Sequence, residues 1–465
     1  MNADRTAPRQ WAESAGGPRP FGFPVLVLLL TLFGMIAFSI QGGLGASNLP
    51  PAMGAIMPSA GRGYVAGVFY VLALFALMVG LGDVLRLGVR MWPHTLFLVF
   101  AAASAAWSFN PAWVLIFVGN CVGIWLVGVA TARRWSLSRG QLYAAFHWGM
   151  VVYLLASVAV VIAVPTIGIR QISDSFGGVA DRWQGLAVHP NRFAYSTVLL
   201  VWAALAGHWT PEARLLRRAS YVTIPLALAV AAFGANSVTA TIADLGMIAT
   251  FVLWPRPGGG RSPVRLILYA TAAVAIVVVG VYALSDVLEA HGPVRVVGRD
   301  FGSFTGRVQL WEAGWMAIVR RPWVGWSFDD LASFLQFANG FFGYGQFHNG
   351  WIDIAVRGGV VGLLLALAMM GRFIAVTLRL FRIDPMSARI STLFFVALMI
   401  ENLTEAQLCE SGHPLWTMFV ALWAMNEVQV MRAPKPVRAR PLAPAAGLRD
   451  VELEVAKPLP SPGRP

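Results

Sequence analysis

The chain has few charged residues and few cysteines. Of its 465 residues, 12% are charged and 57% are hydrophobic, whereas a soluble domain typically has about 25% charged residues. Its two cysteines, Cys121 and Cys409, are too few for a disulfide framework. Cys121 lies inside an apolar run, where a cysteine is typical of a protein interior. These shortages exclude a soluble globular domain and a small disulfide-rich domain.

Lysine is almost absent, since Lys435 and Lys457 are the only lysines among 35 basic residues. The net charge of +13 would by itself suit a nucleic-acid partner. The arginines, however, lie between apolar segments rather than on one soluble face. We therefore expect no nucleic acid partner.

Long uncharged runs dominate the sequence. Asp, Glu, Lys and Arg are missing from 20–61, 63–82, 91–132, 140–169, 193–211, 219–243 and 266–285. A bilayer core needs about 20 apolar residues per helix, and backbone that faces lipid must be helical. The sequence therefore predicts an all-α, polytopic integral membrane protein with about 12 transmembrane helices. The predicted spans are 21–41, 63–82, 92–109, 112–130, 143–164, 193–209, 219–235, 238–254, 266–285, 352–371, 390–403 and 414–430.

Arginines in the short connections predict the orientation. If the helices alternate, those at 86–90, 133–139, 214–218, 256–265 and 372–389 all fall on one side, which the positive-inside rule makes cytoplasmic. The prediction is then a cytoplasmic segment 1–20, a membrane domain 21–430 and a disordered cytoplasmic tail 431–465. The external loops are 165–192 and 286–351.

These two external segments carry eight arginines and no lysine, together with His189, His291 and His348. A planar guanidinium suits bidentate binding of phosphate, although exposed charges on a long loop are also ordinary. Residues from Arg307 onward open a helical pattern that we expect to lie on the outer leaflet. Its apolar face is predicted to consist of Leu310, Trp311, Gly314, Trp315, Ile318 and Val319. His348 comes directly before the span at 352–371, so it is expected at the outer membrane surface.

The order of these motifs resembles the O-antigen ligase and polymerase family of bacterial membrane glycosyltransferases. The resemblance is carried by 104–111 (SAAWSFNP), Gly185 with 189–192 (HPNR), 298–300 (GRD), 305–307 with Trp311, 322–326 (PWVGW), 348–349 with 358–362 (GGVVG), and 402–405 (NLTE). The set is most similar to exopolysaccharide polymerases of the succinoglycan type. In one departure from the pattern, Arg357 stands where the family often has an acidic residue.

The resemblance implies a membrane glycosyltransferase of the C type that works on the periplasmic side of the bacterial inner membrane. An acceptor hydroxyl would displace an undecaprenyl-pyrophosphate leaving group from the anomeric carbon with inversion, without cofactor or metal. It implies His348 as the base and Arg307 as the second catalytic residue. Substrate binding is expected from Arg192, Arg299, Asn349 and Glu405, the last at an acceptor site. The implied partners are the lipid-linked glycan, an acceptor glycan or lipid A core, and a chain-length regulator.

Other polar residues have more ordinary interpretations. Asp329 and Asp330 resemble a metal-binding pair, but no further ligand spacing accompanies them, and we favour a solvated loop. Asp244 falls inside a predicted span, where an acid is functional by default, or it pairs with an arginine. His189 is interpreted as a helix cap.

Several functions fit such a chain. A polysaccharide polymerase and an O-antigen ligase share their chemistry and differ in acceptor, and a protein-directed oligosaccharyltransferase is a third enzyme. Paired broken helices in two matching halves would favour a flippase or transporter. The sequence does not show such a pairing. We therefore expect an enzyme that extends a lipid-linked glycan.

Overall fold

The computed structural model describes residues 81–133, 139–173, 179–187, 189–210, 214–254, 295–296, 299–300, 307–329, 331, 333–334, 346–410 and 413–433. The predicted spans 21–41 and 266–285, nearly all of 63–82, the segment 1–20 and the tail beyond residue 433 lie outside these ranges. The chain consists of two compact units, Met1–Met431 and Arg432–Pro465. All elements discussed below belong to the first unit, apart from the last described turn.

The described residues are mostly helical. The helices are α1 Leu81–Arg90, α2 Trp92–Ala103, α3 Pro111–Arg133, α4 Arg139–Ala163, the short α5 Pro165–Gly168, α6 Pro190–His208, α7 Arg214–Ala229, α8 Val238–Leu253, α9 Arg307–Arg320, α10 Gly350–Ile383, α11 Pro385–Thr404 and α12 Pro414–Arg432. Proline opens several of them, because its missing N–H and fixed φ suit the first helical turn. The predicted spans from 92–109 to 238–254, and from 352–371 to 414–430, each coincide with one of these helices.

Helix α6 occupies the centre of the fold. It packs against α4, α7, α8 and α11, and every residue from Phe193 to Gly207 is buried. Helix α12 is similarly buried from Pro414 to Val428. A helix that is buried all round belongs to the core of a large protein. These two helices therefore form the interior around which the others are arranged.

The outer helices expose apolar side chains. Examples are Ile116 on α3, Val152 on α4, Val222 on α7, Val252 on α8 and Leu364 on α10, all more than half exposed. Large exposed apolar surfaces mark contact with lipid or another protein. In the part of the chain that the structure describes, five helices are long and apolar enough to cross a membrane: Pro111–Val129, Tyr143–Ala163, Arg214–Gly234, Gly350–Ile383 and Pro385–Thr404. The pattern is that of a multi-pass membrane protein.

Two small hairpins depart from the all-α prediction. Strands β1 (Ile169–Ser173) and β2 (Val179–Trp183) pair antiparallel. The two-residue strands β3 (Arg295–Val296) and β4 (Arg299–Asp300) pair in the same sense. Both hairpins lie in the segments that were predicted as external loops, where a short stretch of alternating residues gives little signal of strand structure.

Helix α10 is broken at Gly359, and the break receives another segment. Gly359 has φ 59° and ψ −157°, a conformation that only glycine adopts readily. The N–H of Val360 donates to the carbonyl of Pro322 (2.7 Å), and that of Trp326 donates to the carbonyl of Val356 (2.9 Å). Gly325, also at positive φ, lies so close that a Cβ would be 2.5 Å from the Arg357 carbonyl. The turn after α9 is therefore fixed to α10 by its backbone.

Candidate active site

Three side chains that the sequence predicts to act together meet at one carboxylate. Glu405 Oε1 accepts a hydrogen bond from Arg307 Nη2 at 2.8 Å, and its Oε2 lies 3.0 Å from His348 Nδ1. Glu405 is only 3% exposed, whereas the side chains of Arg307 and His348 are 19% and 21% exposed. The glutamate is thus an internal anchor, and the arginine and histidine form the accessible edge of the site.

Helix ends supply these groups. Arg307 is the first residue of α9, His348 and Asn349 come directly before α10, and Glu405 caps the C-terminus of α11. The Asn349 Oδ1 accepts hydrogen bonds from the N–H groups of Trp351 and Ile352, as expected of an N-cap. Its Nδ2 donates to the Leu403 carbonyl at 3.0 Å, which ties α10 to the end of α11. Asn349 therefore fixes the backbone directly after His348, and the substrate-binding role predicted for it stays a prediction.

Electrostatics keep Glu405 ionised. Burial by itself would raise the pKa of Glu405, but the charges of His348 and Arg307, the hydrogen bond with His348 and the charge of His189 hold it well below its usual value. An opposite charge within a few ångströms favours the charged form of a carboxyl group. Glu405 has both oxygens engaged and almost no exposure, and its predicted contact with an acceptor stays a prediction. Glu405 is placed to orient His348.

Further polar residues, which sequence reasoning missed, extend the network. The Nδ2 of Asn191 donates to Glu405 Oε1 at 2.6 Å. Arg182, on β2, donates from Nη2 to Asn191 Oδ1 at 2.7 Å and from Nε to the Ala235 carbonyl at 2.8 Å. Gln346 Nε2 lies 3.4 Å from Glu405 Oε2. Asn191 belongs to a motif already singled out in the sequence, but nothing in the pattern around Arg182 or Gln346 distinguishes them.

His189 confirms its predicted role as a helix cap. Its Nδ1 accepts from the N–H of Asn191 at 3.2 Å at the start of α6. Burial, which outweighs the opposing charge of Glu405, lowers the pKa of His189 to about 3. A neutral imidazole can accept this backbone hydrogen bond, and a protonated one cannot.

Arg192 lies in the first turn of α6, beside a histidine that sequence analysis did not select. Burial first, and then the charge of Arg192, lower the pKa of His413 well below its usual value, while Glu405 acts in the opposite direction. The ring of His413 contacts Tyr195 at a centroid distance of 4.4 Å. Arg192 is therefore brought close to the site without an ion pair to Glu405.

Arg299 is described only through its backbone. Its backbone pairs with Val296 in the β3–β4 hairpin, and its side chain lies outside the described part of the chain. Its role in substrate binding stays a prediction.

The interpretation of Asp329 as a solvated loop residue was wrong. Asp329 is fully buried. Its Oδ2 accepts from Ser108 at 2.6 Å and from Ser333, and its Oδ1 accepts from the Ser333 N–H at 3.1 Å. This carboxylate joins the turn after α2 to the loop after α9 and is a structural group. Asp330 lies outside the described residues.

The pairing of Asp244 with an arginine was wrong as well. This buried residue of α8 accepts a hydrogen bond from Thr197 Oγ1 of α6 at 3.1 Å.

Arg357, the departure from the family pattern, is buried and pairs with Asp353 at 2.9 Å and Glu410 at 3.3 Å. The carboxylate in contact with His348 is that of Glu405. Among the described residues, no group of three or more His, Cys, Asp or Glu side chains is arranged to hold a metal ion.

The site lies at the end of the helices opposite to the arginines of the short connections. Arg389, in the first turns of α11, lies over the rings of Trp209 and Trp254 at 5.8 and 5.7 Å. These two tryptophans directly follow the C-terminal ends of α6 and α8. Glu405 is at the other end of α11, near the beginnings of α6 and α8. The structure thus defines a multi-pass membrane protein whose described residues form a polar His–Glu–Arg cluster at the end of the core opposite to the arginines of the short connections.

In a comparison with protein families, one family model matches the segment that contains much of this cluster. Residues 223–367 match the family model described as O-antigen ligase, so this segment is similar to that family. The match confirms the resemblance to the O-antigen ligase and polymerase family. It includes Arg307, His348 and Asn349, whereas Arg192 and Glu405 lie on either side of it. No curated protein matches the chain.

Proposed function

We propose that the protein transfers a glycan from an undecaprenyl-pyrophosphate-linked donor to a sugar hydroxyl on the periplasmic face of the bacterial inner membrane, with inversion, and so polymerises an exopolysaccharide or O-antigen. One observation carries the proposal: Glu405 holds His348 Nδ1 at 3.0 Å and Arg307 Nη2 at 2.8 Å in one accessible cluster. This cluster combines a proton acceptor with a group that binds phosphate.

His348 would act as the base. An ionised Glu405 beside Nδ1 favours the tautomer with hydrogen on Nδ1, which leaves a lone pair on Nε2. Nε2 would take the proton from the acceptor hydroxyl as its oxygen bonds to the anomeric carbon. The bond from that carbon to the pyrophosphate breaks at the same time, and the electron pair leaves with the pyrophosphate.

The arginines would stabilise the charge that develops on the leaving group. A guanidinium has five N–H donors, and the hydrogen bond to Glu405 accounts for one donor of Arg307. Preorganised cations at a developing negative charge are a large contribution to catalysis. Arg192, in the neighbourhood of His413, would supply the second cation, and Arg299 a third from the β3–β4 hairpin.

The proposed orientation of the protein in the membrane rests on the arginines of the short connections. The positive-inside rule assigns the end that carries them to the cytoplasm. Reporter fusions should give a cytoplasmic signal at Arg217 and a periplasmic signal at Asn339. The reverse signals would place the site on the cytoplasmic side and contradict the proposal.

A ligase is the second candidate, because the matching family model is described as O-antigen ligase. A ligase would join the same donor to lipid A core. The deciding experiment gives the purified protein in vesicles a lipid-linked repeat unit alone, and then together with lipid A core. Polymer growth and release of undecaprenyl pyrophosphate from the donor alone would support the polymerase. Transfer only with lipid A core would establish the ligase, and no transfer in either mixture would reject both.

A further inference from the structure

Helix α9 has two unlike faces. Leu310, Ala313 and Ala317 are buried, and a Cβ on Gly314 would be 2.6 Å from Ile352 of α10. On the opposite side, Trp315 is 66% exposed and Val319 is 60% exposed. The face predicted to lie on the outer leaflet is therefore divided, because Leu310 and Gly314 pack against the protein while Trp315 and Val319 point away from it.

The exposed face continues into the outside of a membrane helix. The carbonyl of Trp323, just beyond α9, accepts from the N–H of Val361 at 3.1 Å, and the Trp323 side chain is 70% exposed. Val360 and Leu364, one turn apart on α10, are also exposed. We call Trp315, Val319, Trp323, Val360 and Leu364 the α9–α10 strip.

The strip lies at the level where α10 enters the bilayer. Beyond the break at Gly359, the part of α10 that ends at Ile383 is about 36 Å long, enough to cross a hydrocarbon core of about 30 Å. The strip thus joins the outer boundary of the membrane to α9. At its other end α9 begins with Arg307, the residue that contacts Glu405.

We propose that the α9–α10 strip binds the isoprenoid chain of the lipid-linked donor and leads its pyrophosphate to Arg307. The inference rests on the proposed function and adds the surface that selects the lipid. Arg307 and Trp315 are about 12 Å apart along the helix, so one amphiphile can contact both. When the isoprenoid chain binds, it exchanges contacts with bilayer lipid for contacts with the protein. Its selection therefore depends on packing against the two tryptophans and the aliphatic side chains.

The occupant is argued from two features on this surface. The strip is continuous with the lipid-facing side of a spanning helix, so an apolar chain reaches it without leaving the membrane. The cation at the start of α9 suits a phosphate at the head of that chain. An isoprenoid pyrophosphate has both parts in the required order.

The test compares donors with a full-length and a two-isoprene chain, using the purified full-length protein in phospholipid vesicles. The Val319→Ser and Trp323→Ala double variant should raise KM for the long-chain donor about fivefold, with kcat unchanged. KM for the short-chain donor should stay at the wild-type value. Val152→Ser on α4, where the valine is 66% exposed, is the matched control and should leave both KM values unchanged.

Other outcomes separate the inference from the proposed function. An unchanged KM for the long-chain donor would show that ordinary phospholipid covers the strip, and an equal rise with both donors would show a general distortion. A change confined to the oligomeric state would make the strip an interface between copies of this chain. Each of these results would overturn the inference alone. If the wild-type protein transferred glycan from neither donor, the proposed function itself would fail.

Discussion

Two buried glutamates occupy opposite ends of the described helices, and each is paired with arginine. Glu405 contacts Arg307 and His348. Glu427 of α12 lies 2.7 Å from Arg372 and 3.7 Å from Arg90, and Arg372 also donates to the Arg90 carbonyl at 3.2 Å. Both carboxylates hold several elements together by charge.

The partners make the difference between these clusters. The partners of Glu427 are arginines, which keep their charge at any physiological pH. Glu405 holds an imidazole, the side-chain type that exchanges protons near neutral pH. A buried ion pair is therefore not in itself a sign of a site, and the imidazole partner is what distinguishes the end that contains Glu405. The following experiments would break or sharpen this contrast.

The largest expected effect is on activity. His348→Ala should lower glycan transfer about 10²–10⁴-fold, the usual contribution of a general base. Membrane abundance should stay at the wild-type level, because the side chain is partly exposed. Complementation of a polymer-deficient strain, with immunoblots of the membrane fraction, measures both quantities. His208→Ala, at the far end of α6, is the control and should retain activity; normal polymer from His348→Ala would remove the base from the proposal.

Arg307→Lys should also lower transfer, by about tenfold or more. An ammonium keeps the charge but cannot reproduce the planar fork that binds phosphate and Glu405 together. Initial rates with the lipid-linked donor check this. Wild-type rates from the lysine variant would reduce Arg307 to a generic phosphate contact. Arg320→Lys, on the exposed C-terminal turn of the same helix, is the matched control.

Glu427→Gln should affect stability rather than chemistry. Removal of this carboxylate leaves Arg372 without its closest anion, at a cost of about 3 kcal/mol in the free energy of unfolding. Thermal denaturation in detergent should show a lower Tm, while activity per folded molecule stays normal. Arg379→Gln, on the exposed surface of α10 at the same end, should change neither. A loss of specific activity with unchanged Tm would mean that both glutamate clusters serve the reaction.

Glu405 predicts a particular dependence of stability on pH. Its pKa in the folded protein is lowered by its cationic partners from the usual 4.5, so its contribution is complete above that value and is lost as the pH falls through the folded pKa. The stability that Glu405 gives the wild type over Glu405→Gln should therefore be lost as the pH falls below about 4.5, where the difference in Tm between the two proteins should shrink. A difference that disappears already near neutral pH would show that the Glu405 carboxylate is not ionised in the folded state.

The smallest expected effect is that of chelation. We expect transfer from the lipid-linked donor to be unchanged in excess EDTA, because arginines would neutralise the pyrophosphate in the proposed mechanism. Complete loss of activity, restored by a divalent ion, would assign to a metal the charge neutralisation proposed for Arg307.

The sequence alone was sufficient for the helical membrane fold. Uncharged runs of about 20 residues leave a chain few alternatives to spanning helices, and the described helices from α2 to α12 coincide with predicted spans, except for the short α5 and for α9. The order of the motifs was sufficient for the family. Position directly before a helix also indicated His189 as a cap.

The tertiary structure decided how the polar residues are combined. Glu405 lies 214 residues from Asn191 in the chain, and the network of Glu405, Asn191 and Arg182 forms only because α6, α11 and the β1–β2 hairpin bring their ends together. Asp329 became a buried structural group because Ser108 and Ser333 surround it, and no local pattern encodes such a contact. Hydropathy depends on each residue and its close neighbours, whereas a hydrogen bond across 214 residues depends on how every intervening helix packs.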